Sequence, residues 1–192
     1  MKRIINIFII SLLLTSCDIL TTRVPEEPKR PSSNFIPATQ PERLFQNLKS
    51  SIEESISENY MACFLDTLYI KKNFSFIPAI GVETQYASFA SWNLMSEKKY
   101  FDELKNKLGN NSSIQFNYSI TQESLSGGDS ATFVIDYEIP INSSNSSIAG
   151  EYKGSAYFII FLDSRKQWVI VEWRDIKREN FLCWSDLKGR AY

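Results

Sequence analysis

The stretch Thr132-Phe133-Val134-Ile135-Asp136-Tyr137-Glu138-Ile139 decides the fold. Phe133, Ile135, Tyr137 and Ile139 alternate with Thr132, Val134, Asp136 and Glu138, the period-two pattern of a strand with one face on a core. Upstream, Gly127-Gly128-Asp129 is a turn, and before it Ile114, Phe116, Tyr118 and Ile120 alternate with polar residues. Downstream, Asn142 to Ser147 is a loop of asparagine and serine alone. Tyr152 to Leu162 then forms a long strand, Asp163-Ser164-Arg165-Lys166 a tight turn, and Trp168 to Ile176 a closing strand. Strands joined by short turns make an antiparallel meander. The last two strands are apolar on both sides, which puts them at the sheet centre.

The first hundred residues carry a helical period instead. Thr39-Gln40-Pro41-Glu42 matches a capping box with proline in the first turn. Leu44, Leu48, Ile52 and Ile56 then recur on one face. A second, shorter helix carries Tyr60, Met61, Phe64 and Leu65. Leu68-Tyr69-Ile70 and Phe74-Ser75-Phe76-Ile77 read as short strands, and Thr84 to Trp92 as helical. Ser96 caps a further helix, Glu97 to Leu108, which Gly109 ends. Ser185 to Arg190 forms a last short helix. Helices first and long strands after give an α+β architecture, with helices packed on one face of a curved antiparallel sheet.

This layout resembles the nuclear transport factor 2-like superfamily, the cone fold shared with ketosteroid isomerases and polyketide-cyclase-like proteins. The residues carrying the resemblance are Glu58-Asn59-Tyr60-Met61-Ala62-Cys63-Phe64, the Tyr86…Phe89…Trp92…Tyr100-Phe101 spacing, and Trp184-Ser185-Asp186-Leu187-Lys188-Gly189-Arg190. It covers roughly residues 40–190. It implies a fold rather than an activity, because this fold hosts enzymes, binding modules and assembly parts alike.

The N-terminus points to export. Met1-Lys2-Arg3 is basic, and Ile4 to Leu14 is an apolar run too short to span a bilayer. Leu14-Thr15-Ser16-Cys17 resembles the bacterial lipobox, which implies cleavage before Cys17 and acylation of that residue. Residues 1–16 are then a lipoprotein signal peptide, and the protein a lipid-anchored one of the cell envelope, on either membrane. Residues 17–38 form a tether with Pro25, Pro28, Pro31 and Pro37 among charged and small residues, a composition that acts as a semi-rigid spacer. Residues 39–192 are the α+β domain. Removing the signal takes Lys2 and Arg3 with it and leaves a formal charge near −3, which argues against nucleic acid as a partner. Membrane contact therefore rests on the lipid. After lipidation two cysteines remain, Cys63 and Cys183, either a disulfide formed in an oxidising compartment or two buried thiols.

The chain has no histidine. That removes the commonest general base and the Ser-His-Asp and Cys-His arrangements. No metal site and no cofactor is expected, and no catalytic residue is assigned. An isomerase-like site needs a carboxylate and a tyrosine in the cone interior. The strand candidates are Asp136, Glu138, Glu172 and Asp175 with Tyr118, Tyr137 and Tyr157; Arg174-Asp175 is the nearest approach to the Asp-Arg-Asp set of epoxide hydrolases. A pocket holding a carboxylate and tyrosine favours an isomerase- or dehydratase-like enzyme, and an interior filled by aromatic side chains favours a non-catalytic ligand- or protein-binding module. On strict alternation Val169, Val171 and Trp173 share one side of the last strand, an expected surface for a homodimer or an envelope partner.

Overall fold

The computed structural model of the chain describes residues 33–109 and 111–192. The expectations for the signal segment, for Cys17 and for most of the tether lie outside those residues. Asn34–Tyr192 form one compact unit. Its elements run α1 (Pro41–Glu53), α2 (Ser57–Ala62), β1 (Ser75–Ile77), a short 3-10 helix (Ala87–Ser91), α3 (Leu94–Leu108), β2 (Ser113–Ile114), β3 (Asn117–Ser126), β4 (Ser130–Asn142), β5 (Gly150–Leu162), β6 (Trp168–Lys177) and α4 (Trp184–Ala191). Among the described residues no helix is long and apolar enough to cross a membrane.

The sheet order is β1-β6-β5-β4-β2, with β3 also paired to β4. The meander is antiparallel as expected, but β1 adds to β6 in parallel, so the sheet is mixed. The turn between β3 and β4 places Gly127 at φ +65° and Gly128 at φ +81°, backbone that only glycine adopts without cost. β2 and β3 are one expected strand in two pieces. The break falls at Phe116, whose N–H donates to Glu53 Oε1 (3.0 Å) and whose carbonyl accepts from Lys49 Nζ (2.7 Å). An α1 ion pair thus takes the backbone groups that a continuous ladder would use.

The N-terminal boundary moves. Asn47, buried on α1, hydrogen-bonds the backbone of Ile36 twice, and the Trp168 N–H donates to the Ala38 carbonyl (2.7 Å). Residues 34–38 therefore belong to the domain rather than to the tether. Helix α1 starts at Pro41 with Gln40 at its cap and no side-chain cap bond, so the Thr39 capping box does not form. Helix α3 starts at Leu94, not at Glu97, because Asn93 Oδ1 accepts from the N–H groups of Met95 and Ser96. Residues 68–70 are a turn, not a strand, and only Ala87–Ser91 of the 84–92 segment is helical.

One bulge corrects the expected surface. β6 pairs Glu172 with Ile159 and Ile170 with Ile160, so Val171 is one residue too many. A one-residue slip exchanges the faces of everything beyond it. Trp168, Ile170, Trp173 and Asp175 therefore all face the helices. Trp173 is fully buried against Phe64, Phe76, Phe158 and Trp184. Val169 and Val171 lie on the other face, buried with Leu65 beneath Ile70, Phe74 and Phe161. Val169, Val171 and Trp173 thus share no exposed side, and the loop after α2 covers the two valines.

Candidate functional site

The cone interior between helices and sheet is where chemistry was expected. Two buried polar clusters occupy it, and both are built on α4. Trp184, Ser185, Leu187, Lys188 and Ala191 recur along that helix and are all buried. Helix α4 plugs the interior.

The first cluster holds the N-terminus of α4. Tyr137 Oη donates to Asp175 Oδ1 (2.6 Å) and accepts the Trp184 N–H (2.7 Å). Asp175 Oδ2 accepts the N–H and the hydroxyl of Ser185, each at 2.6 Å. Ser185 Oγ in turn accepts the Ala79 N–H. The first amides of any helix lack intrahelical partners and carry partial positive charge. Here a strand carboxylate and a strand tyrosine satisfy them. The expected carboxylate–tyrosine pair therefore exists, but as a helix cap. Trp184 Nε1 donates to Tyr100 Oη (3.1 Å), and its indole packs on Trp173, Phe116 and Tyr137.

The second cluster is an ion pair with no solvent contact. Lys188 Nζ donates to both Glu97 oxygens (2.5 and 2.6 Å). Glu97 also accepts Tyr60 Oη (2.6 Å) and Trp92 Nε1 (2.8 Å). The ammonium lies 3.8 Å from the Trp173 ring centre and 3.9 Å from that of Phe76, with Tyr100 and Trp92 behind. Burial pushes the Lys188 ammonium down to about 8, against the pull of Glu97 and Asp175. The same burial, with Glu97 nearby, raises the phenols of Tyr60 and Tyr100.

Cys63 and Cys183 are both buried and free, the second of the two alternatives. The Cys63 thiol turns back to the Asn59 carbonyl, and Cys183 caps α4 beside Asp186. Burial raises both thiols.

These shifts set an alkaline stability profile. Lys188 loses its proton earlier in the folded chain, so between about pH 8 and the ordinary lysine value of about 10.4 stability rises with pH on its account. The thiols and the Tyr60, Tyr100 and Tyr137 phenols ionise earlier in the unfolded chain, so above about 8.5 and about 10 respectively stability falls. Each group contributes a slope of ~1.4 kcal/mol per pH unit, and five raised groups outweigh one lowered one. The expected result is a melting temperature that peaks near pH 8.5 and collapses above 10. Scanning calorimetry from pH 7 to 11 checks it, with Lys188→Met losing the rise below the peak.

The remaining candidates, Tyr118 excepted, face away from the helices. Asp136 accepts from Ser155 Oγ (2.7 Å) and pairs with Arg178 (2.9 Å); Glu138 pairs with Lys153 (3.0 Å). Glu172 pairs with Arg174, whose guanidinium lies over the Tyr157 ring. Arg174 and Asp175 fall on opposite faces, so no Asp-Arg-Asp set forms. Tyr118 packs on Phe45 and Phe116. Among the described residues no group of three or more histidine, cysteine, aspartate or glutamate side chains converges as a metal site would require.

An open concavity lies over the start of β3 and the middle of β4. A groove of about 710 Å³ runs over Asn117, Ser119, Asp136, Glu138, Lys153 and Arg178, walled by Glu179 and Phe181 after β6. Its lining carries both charge signs and three aromatic residues, Tyr118, Tyr137 and Phe181. Glu97 and Lys188 were missed in the sequence, although Glu97 shares a helical face with Phe101, Leu104 and Leu108. A charge on an apolar stripe signals a buried partner, and that signal was legible.

The geometry matches known structures. A candidate scytalone dehydratase from Novosphingobium aromaticivorans aligns at a TM-score of 0.56 and 11% identity, over 74% of this chain and 88% of that one. A conserved protein from Planctomyces limnophilus aligns at 0.55 and 8%, over 70% and 91%. A candidate dehydratase of the nuclear transport factor 2-like family from Streptomyces avermitilis aligns at 0.50 and 10%, over 71% and 91%. The fold is the nuclear transport factor 2-like fold. No family model and no curated protein matches the sequence, so the likeness extends to the fold alone. In this domain the cone is closed by its own C-terminal helix.

Proposed function

We propose that the protein is a lipid-anchored, non-catalytic binding module of the cell envelope, acylated on Cys17 and presenting the outer groove to a ligand or protein partner. One observation carries the non-catalytic half: the interior carboxylates are both spent on structure, Asp175 on the amides of α4 and Glu97 on Lys188. The groove supplies what the interior lacks, solvent access beside unburied charges. The lipobox-like Leu14-Thr15-Ser16-Cys17 after a basic start and an apolar run supports the anchor.

The candidate dehydratases among the structural neighbours motivate the rival reading, with Asp175 and Tyr137 as the reacting pair. Two measurements separate the readings. Asp175→Asn leaves the Tyr137 hydroxyl and two α4 donors without a carboxylate, so a lowered melting temperature is expected at a cost of about 1.5–3 kcal/mol for charged hydrogen bonds; a variant as stable as wild type or more so contradicts the capping role. Palmitate labelling of wild type and Cys17→Ala tests the anchor. Label on the wild type alone is expected, and an unlabelled wild type overturns it.

A further inference from the structure

We propose that the groove over β3 and β4 seats a proline-rich charged segment, and that its occupant is residues 25–31 of the same chain, folded back as a strap; this rests on the reading of the groove as the binding surface, and not on the lipid. Pro25-Glu26-Glu27-Pro28-Lys29-Arg30-Pro31 precedes the described residues. A polyproline II helix repeats every three residues and rises about 3.1 Å for each. In that form the three prolines make one apolar edge about 19 Å long. The other two edges carry Glu26 with Lys29 and Glu27 with Arg30. Segments of this kind dock in grooves lined by aromatic side chains, because they are already extended before they bind.

The chain leaves the domain at the mouth of the groove. Asn34 Nδ2 donates to Glu54 Oε1 (2.6 Å), and the adjacent Glu53 Oε1 accepts the Phe116 N–H (3.0 Å). The next residue, Asn117, belongs to the lining. From there a row crosses the strands, since Asn117 pairs with Glu138 and Glu138 with Lys153. It ends on Arg178, Glu179 and Phe181 after β6. Neighbouring strands lie ~4.8 Å apart, so the row is roughly 15 Å long, and the segment is long enough to cover it. Arg30 stands four residues before Asn34, a distance that the chain spans with at most ~14 Å.

The order of charges matches. Entering from Asn34, the strap brings Arg30 and Lys29 first, then Glu27 and Glu26. The row offers Glu138 and Asp136 on β4 first, then Lys153 and Arg178. Asp136 pairs with Arg178 (2.9 Å), and Glu138 shares Lys153 with Glu151 (3.0 Å each). With Glu179 the lining therefore holds three carboxylates to two cations. Phe181, 42% exposed, and half-buried Tyr118 supply the aromatic surface. A second hollow at the same end, over Ser55, Asn106 and Gly109, suits the segment less. It has no aromatic residue, and its one carboxylate, Glu53, is held by Lys49 and the Phe116 N–H. A short tether presents the strap to the groove at an effective concentration of about millimolar, so an outside partner has to displace it.

The test uses the full chain in detergent micelles, carrying Cys17→Ser and Val24→Cys with a nitroxide on residue 24; Cys63 and Cys183 are buried. Paramagnetic broadening of backbone amide signals is read at Ser119, Glu138 and Phe181 and, as the control beside the second hollow, at Asn106 and Gly109. Broadening several-fold stronger at the groove than at the control, and made equal by Lys29→Glu/Arg30→Glu, is expected. Equal broadening in the parent chain overturns the strap. A free peptide of residues 23–33 then tells which claim has fallen. Shifts of the groove signals at millimolar peptide leave the groove a binding surface that its own strap does not occupy, and no shifts overturn both.

Discussion

Lys188→Met and Glu97→Gln are each expected to destabilise the domain by about 3–5 kcal/mol, the range for breaking a buried ion pair, and the double variant by much less than their sum. The ceiling comes from titration. A lone Lys188 escapes by releasing its proton, which from an ordinary value near 10.4 costs about 5 kcal/mol at pH 7. The singles should therefore differ in pH dependence: Glu97→Gln recovers as pH rises toward 9. The double variant keeps an acceptor for Tyr60 Oη and Trp92 Nε1 in the glutamine and returns a methionine to the aromatic box. Urea denaturation of the four-member cycle at pH 5, 7 and 9 reads the coupling. Against a total stability of about 5–15 kcal/mol for a domain, each single removes a fifth of it or more. Additive singles with no pH divergence contradict the pair's role.

Trp184→Ala is expected to cost a further ~3–5 kcal/mol, the range for removing a large aromatic from a core. The indole is the wedge that α4 drives between Trp173, Phe116 and Tyr137, with ring centres 4.3, 4.9 and 5.2 Å away. Its loss leaves a cavity and strips the Tyr100 hydroxyl of its donor. Trp184→Phe keeps most of the ring and loses the N–H, so a cost near 1 kcal/mol is expected. Both are measured as shifts in the denaturation midpoint. A Trp184→Ala protein as stable as Trp184→Phe contradicts the account of α4 as a plug.

The sheet was legible in the sequence because alternation is a local signal. Phe133 to Ile139 and Tyr152 to Leu162 need no knowledge of distant residues to be placed. The bulge at Val171 was not, since it is defined only by the register of β6 on β5; it turned Trp173 into the core, while the loop after α2 covers Val169 and Val171. The Thr39 cap failed for a related reason. Residues 34–38 are strapped to Asn47 and Trp168, and that tertiary bonding fixes where α1 begins. The candidate site was half legible. Tyr137 and Asp175 were named as strand residues, but their task depends on the arrival of α4 from the chain's end. No spacing rule links residue 137 to residue 184.

The same closure explains why the fold's shared architecture says little about activity here. The interior of a cone is a concave site of the kind that can hold a buried ligand. This chain fills that place with Trp184 and Lys188, side chains of its own last helix, and carries its accessible charges on the opposite sheet face.

The most direct test of that closure is hydrogen exchange at the indole N–H groups of Trp92 and Trp184, followed by NMR. Both lie inside the plugged cone, bonded to Glu97 and Tyr100. If the interior is sealed, they exchange only when the whole domain unfolds, with protection equal to the global stability measured by denaturation. Exchange orders of magnitude faster than global unfolding, while the amides of β4 and β5 stay protected, would mean that α4 opens in the folded state and would contradict a closed, non-catalytic cone.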